Sequence, residues 1–378
     1  MTNNTNRFTK LDGLRGLLAL IVCLNHSFMV VAIPTFANVW QQNPLIFNGL
    51  QSKIQQLFML LGNGGAAVTL FFLLSGLVLG QSLSRINMNI RGLFGFLVKR
   101  IIRLYPVYLV IVFLTALYMK FGFVYETFPC SSAWFNWWMN FQMTFKEFFL
   151  NFFFIHTYLG GVTWTLRVIL IMSFVFPMFF LINKKTTWWM DILITALLIY
   201  LSFTLLNIDG FRDLRYIYMF YLGLIIPKFK DLFSKIPNSL VAISLPFLVL
   251  LLLGFRYLTN EYKGGVIESL VSFIIIGLAA YGSKVTVLDI LEGKILHFFG
   301  KISYSLYLIH FSVLYVLGRL MFQNFPQLPY QNQYLSIHII LFVLSTVIAT
   351  GISYLVYKFV EMPSQTLAKA VGAKLSEE

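Results

Sequence analysis

Two imidazoles stand inside runs that are otherwise apolar. His26 lies in LDGLRGLLALIVCLNHSF and His310 in KISYSLYLIH. An ionisable side chain at bilayer depth costs about 2.5–3.5 kcal/mol on insertion scales, so each one needs a reason to be there. An imidazole can take a proton from a hydroxyl near neutral pH, the step that turns an alcohol into a nucleophile. Asp12, Arg15 and His26 share one helical face. Arg15 and His26 are eleven positions apart. At about 100° per residue the direction returns to within about 20°, with about 16 Å of axial separation. One helix thus offers a charged pair near one end and an imidazole deep inside. Two readings fit: a polar cavity that does chemistry, or an Asp12–Arg15 pair at a helix end beside a His26 that hydrogen-bonds a neighbouring helix.

Other polar groups join these candidates. Arg100 and Arg103 in VKRIIRLYP are i, i+3 and face the same way. Two guanidiniums can clamp phosphates, while on spacing alone ordinary juxtamembrane charge is the favoured reading. Ser303, Tyr307 and His310 fall on one face at i, i+4 and i+7. Ser75 in LFFLLSG precedes Gly76, a pair suited to close helix approach. Glu361 in VEMP is either solvated or paired with Arg15, Arg100 or Arg103, and Glu268 is similarly open. No Gly-rich phosphate loop, GxSxG elbow or HExxH is present. Zinc-ligand spacing is absent too, so no metal is expected. Cys23 lies in an apolar run and Cys130 in a loop, which makes a disulfide between them unexpected.

The elements that carry these groups follow from composition. The chain has 378 residues, 58% hydrophobic, 17% aromatic and only 11% charged. Soluble domains run at roughly 45–50% apolar and about 25% charged. A bilayer is the natural solvent for such a chain, and the expected fold is an all-α polytopic helix bundle forming one domain over 1–378. Apolar runs place spans near 14–33, 65–83, 104–121, 164–182, 188–206, 216–227, 238–255, 265–282, 302–321 and 336–358, ten in all. The larger outer loops are expected at 34–64 and 122–163; the second is rich in Trp and Phe, which suit sugar stacking and interface anchoring equally. Within it the stretch 145–158 reads as an interfacial helix or a re-entrant piece. With the N-terminus inside, 18 Lys and Arg fall in inner segments, 7 in outer ones and 3 within spans. That bias orients both termini to the cytoplasm. The net charge of +14 then belongs with anionic lipid headgroups rather than nucleic acid. The first run carries Arg15 and His26 and lacks a small-residue cleavage site, so it is expected to stay with the chain. No clear inverted repeat of a secondary transporter is visible.

Taken in order, these elements resemble the acyltransferase-3 family of membrane proteins. The resemblance rests on LDGLRG with Arg15 and His26 at the family's spacing, LFFLLSG at 70–76, and the Arg100/Arg103 pair followed by LYP. It continues through WTLRV at 164–168, SYSLYLIH at 303–310 and Glu361-Met-Pro363. It implies transfer of an acyl group, usually acetyl, from cytoplasmic acyl-CoA to an outward-facing acceptor, commonly a hydroxyl of an envelope glycan or lipid-linked sugar. The setting it implies is the plasma membrane, in bacteria the inner one. Carried over, His26 is the catalytic imidazole, as base or acyl carrier, with Arg15 and Asp12 beside it, and Arg100 and Arg103 contact the donor. Ser75, Trp164, Arg167, Ser303, Tyr307, His310 and Glu361 are candidate pocket-lining residues. One position departs. The family commonly has Glu two residues after the WTLRV arginine, and here Ile169 stands there. Two other readings therefore remain: a non-enzymatic lipid or glycan transporter, or an inactive relative.

Overall fold

The computed structural model describes residues 3–32, 49–205, 208, 210–259, 261–282 and 285–377. Within them the chain is all-α, with short 3-10 turns and an isolated bridge between Val31 and Ser131. A hydrocarbon solvent leaves the backbone only itself to bond with, which is why such a sequence folds into helices. In chain order these are α1 (Asn3–Ser27), α2 (Leu50–Leu61), α3 (Gly64–Leu83), α4 (Ile90–Phe121), α5 (Ala133–Trp137), α6 (Phe145–Phe152), α7 (Thr163–Lys185) and α8 (Trp188–Leu205). They continue with α9 (Ile217–Ile225), α10 (Lys230–Lys235), α11 (Asn238–Leu258), α12 (Glu261–Tyr281), α13 (Lys294–Asn324), α14 (Tyr330–Val356) and α15 (Met362–Glu377).

Among the described residues, seven stretches are long and apolar enough to cross a membrane: Lys53–Leu83, Ile90–Phe121, Thr163–Lys185, Asn238–Leu258, Tyr262–Tyr281, Lys294–Asn324 and Leu335–Gly372. The three other expected spans fall on helices of a different kind. α1 carries Lys10, Asp12 and Arg15, and it stops at Ser27, short of residue 33. There the backbone turns away to bind a loop: Ser132 N–H donates to Val30 O at 2.9 Å, and Ala32 N–H to Cys130 O at 3.0 Å. α8 contains the shorter apolar helix Trp188–Thr204. α9 has nine residues, all buried. It continues directly into a 3-10 turn, Ile226–Phe229, and into α10, so the expected span 216–227 falls on a broken helical course rather than on one long helix.

Small residues set the tightest packing. α1 and α13 form the most extensive helix pair. A Cβ on Gly16 would lie 2.3 Å from Leu296 O, and one on Gly300 would lie 2.1 Å from Asp12 O. The same device joins α3 to α9, where a Cβ on Gly76 would lie 2.1 Å from Phe220 O. Only a missing side chain lets backbones approach this closely.

The expected outer loop 34–64 lies outside the described residues up to 48; its later part contains α2. The loop 122–163 is folded and carries α5 and α6, the latter over the start of the stretch 145–158. Buried Asn151 organises it. Its Oδ1 accepts from Tyr158 N–H at 2.9 Å and Leu159 N–H at 3.1 Å, its Nδ2 donates to Glu147 O at 2.9 Å, and its own carbonyl accepts from Tyr108 at 2.5 Å. This loop brings α5 over the end of α1.

Candidate active site

His26 and His310 are bonded to each other. His26 Nδ1 and His310 Nε2 lie 2.9 Å apart, with the ring planes 5° from parallel and centroids 5.2 Å apart. That separation places the rings edge to edge in nearly one plane. The other nitrogen of His310, Nδ1, is 3.2 Å from Leu306 O. A carbonyl only accepts, so in the neutral pair His310 Nδ1 carries the proton. His310 Nε2 then accepts from His26 Nδ1–H, and His26 Nε2 is left as a bare lone pair. Trp134 stacks on His26 at 5.4 Å, and Phe311 meets it edge-on at 6.0 Å.

His26 lines a cavity of about 300 Å³. Its walls are largely aromatic, with Trp134, Trp138, Trp164 and Tyr216 among them, and Asn25 adds a polar amide. Arg215 and Arg256 also border it. Arg215 lies over the Tyr216 ring at 4.7 Å, and Arg256 is answered by a carboxylate. Arg256 Nε donates to Glu268 Oε1 at 2.8 Å and its Nη2 to the other carboxylate oxygen, while Asn63 Nδ2 reaches the same carboxylate at 3.2 Å. Glu268 is thus paired, not solvated.

A second cavity, of about 340 Å³, is basic. Asp12, Arg15, Arg100, Arg103 and Lys301 line it, together with Glu361. Arg15 Nη1 donates to Asp12 Oδ1 at 2.8 Å. Arg100 is only 8% exposed, and its buried Nε has no hydrogen-bond partner among the described residues. A buried guanidinium with an unmet donor is suited to an anion. Glu361 does not take it up. Its Oε2 accepts from Ser305 Oγ at 2.6 Å and its Oε1 from Gln365 Nε2 at 3.0 Å. A π-helical turn, Tyr357–Glu361, joins α14 to α15 and turns Tyr357 and Glu361 to this cavity.

The sequence candidates divide between the two cavities. Ser75, Ser303, Tyr307 and Ile169 border the basic one, Trp164 the aromatic one, and Tyr307 both. Ser303 Oγ donates back to Gly300 O at 2.8 Å. Two candidates line neither cavity. His310 is buried behind His26, and Arg167 turns away to an ion pair with Asp213 at 2.7 Å and to Ile155 O at 3.2 Å. Sequence reasoning passed over Asn25, and it took the Trp residues of the loop 122–163 as a group without singling out Trp134 and Trp138. Asn25 adjoins His26, and Trp134 and Trp138 are i, i+4, spaced to share a face of any helix they form.

Helices, cavities and imidazole pair together define a polytopic all-α membrane protein with two adjoining polar chambers. The family model described as an acyltransferase domain, acyltransferase-3, matches residues 8–358, and the chain belongs to that family of membrane acyltransferases. No curated protein and no solved structure matches the chain.

Proposed function

We propose that the protein transfers an acetyl group from acyl-CoA to a hydroxyl of a cell-envelope glycan or lipid-linked sugar. The observation that carries this reading is the adjacency of a basic cavity and an aromatic cavity holding an imidazole lone pair. CoA is a long polyanion. Its phosphates suit Arg100 and Arg103, while its thin thioester arm reaches on towards His26. A pyranose ring suits the Trp and Tyr walls of the other chamber, where rings offer apolar faces and polar tips. His26 Nε2 accepts the acceptor hydroxyl's proton as that oxygen attacks the thioester carbonyl. The C–O bond forms, the C–S bond breaks, and the departing CoA thiolate takes the proton from the imidazolium. The basic cavity faces the cytoplasm of a bacterial inner membrane in this reading, following the bias of Lys and Arg.

The test is acetyl transfer or acetyl-CoA hydrolysis by the purified protein in detergent. His26→Ala is expected to lower turnover roughly 10²–10⁴-fold, the range a general base contributes, with an unchanged unfolding curve. Arg100→Ala combined with Arg103→Ala is expected to weaken CoA binding at least tenfold, as loss of charged phosphate contacts does. Full turnover by the His26 variant removes that residue from the mechanism. Ile169 favours a second reading, a catalytically silent relative, because it lines the basic cavity and supplies no carboxylate there. Turnover by the parent protein rejects it. A silent parent that gains activity with Ile169→Glu establishes it.

A further inference from the structure

Three side chains belong to both chambers: Val68 and Phe72 on α3, one turn apart, and Tyr307 on α13. The order along each helix agrees with a narrow place at this level. On α3, Gly65 and Thr69 touch only the aromatic chamber, and Ser75 and Val78 only the basic one. On α13, Ser303 lies in the basic chamber, and His310, beyond Tyr307, bonds His26 in the other. At the start of α7, Trp164 borders one chamber and Thr165 the other.

Two members of the ring are held firmly. Phe72 is buried against Phe220 at 5.0 Å, Tyr216 at 5.1 Å and Trp164 at 6.2 Å. Tyr307 packs edge-on to Phe71 at 5.7 Å and against His310 at 5.9 Å. Val68, half-buried, is the one small member.

The geometry points to this ring as the filter that selects the acyl group. The inference rests on the donor and acceptor assignment above. With the phosphates held at Arg100 and Arg103, the acyl end of the donor passes Val68, Phe72 and Tyr307 before its carbonyl meets the acceptor oxygen at His26. A ring discriminates by thickness. A straight acyl chain is no thicker than the arm that bears it and passes. A branch on the carbon beside the carbonyl lies alongside the chain and meets Val68. Acetyl therefore enters and isobutyryl is held back.

The experiment uses the full chain in detergent with acetyl-CoA and isobutyryl-CoA as paired donors, and CoA binding measured by calorimetry. Val68→Ala is expected to raise the isobutyryl-to-acetyl ratio of kcat/KM by about tenfold, the lower end of what a methylene-sized change does in an apolar site. Val68→Phe is expected to cut acetyl transfer at least tenfold while CoA affinity stays within about twofold, because Arg100 and Arg103 are left in place to hold the phosphates. An unchanged ratio in a Val68→Ala protein that still transfers acetyl overturns the ring, as does a Val68→Phe protein that transfers acetyl at the parent rate. If Val68→Phe does not fold, the Val68→Ala ratio decides alone. Failure of the underlying assignment looks different: the parent then neither binds CoA nor transfers acetyl.

Discussion

At the scale of single residues, the hydrogen bond between His26 and His310 decides which nitrogen is available for chemistry. Leu306 O fixes the proton on His310, and His310 fixes the proton on His26. A glutamine at 310 keeps an acceptor oxygen near the place of Nε2; a leucine does not. His310→Gln is therefore expected to retain most of the transfer activity, and His310→Leu to lose roughly 10²-fold or more, the scale of a displaced general base. Steady-state rates beside matched unfolding curves check this, and equal losses in the two variants remove the tautomer argument. The stripes Asp12–Arg15–His26 and Ser303–Tyr307–His310 were each legible, because helical periodicity is written locally. Their meeting was not. It joins residues 284 positions apart, and no local pattern carries such a contact. Arg167 shows the opposite failure. Its place in a family-like motif suggested the pocket, while Asp213 draws it aside.

At the scale of elements, α1 and α13 hold the imidazoles in register through Gly16 and Gly300. Adding a methyl at Gly300 drives a carbon into Asp12 O. Overpacking of this kind costs typically 1–3 kcal/mol. Gly300→Ala is expected to lower the unfolding midpoint and the transfer rate together. Gly351→Ala, where nothing lies within 4 Å of the added carbon, is expected to change neither. Thermal melts of the two variants in detergent test the contrast. The helices themselves were largely readable from apolar runs, and the close approach at Ser75-Gly76 was foreseen. The count of crossings was less so: seven stretches among the described residues are long and apolar enough, against ten expected. α9 is wholly buried and breaks into a 3-10 turn, and hydropathy does not distinguish a protein interior from lipid. The fold of the loop after α4 hangs on Asn151, one amide among many aromatic residues, and composition does not single it out.

At the scale of the whole molecule, a scarcity of charge makes each buried charge informative. Several of the ionic groups within the apolar interior are gathered into recognisable assemblies. One is Arg256 with Glu268, which is closed on itself. Another is Asp191 with Lys228 at 2.6 Å, where Tyr221 and Thr186 also bind the carboxylate. The basic chamber differs, because its guanidiniums outnumber its carboxylates. Composition announced the membrane, and the family-like motifs announced the reaction class. Neither announced that the polar interior is divided in two by Val68, Phe72 and Tyr307. The division carries a kinetic signature. Two substrates housed on opposite sides of a thin partition are both aboard when the bond changes hands, so initial-rate lines at several fixed acceptor concentrations should intersect in a double-reciprocal plot. Parallel lines would instead mean that the imidazole keeps the acyl group after the first product has gone.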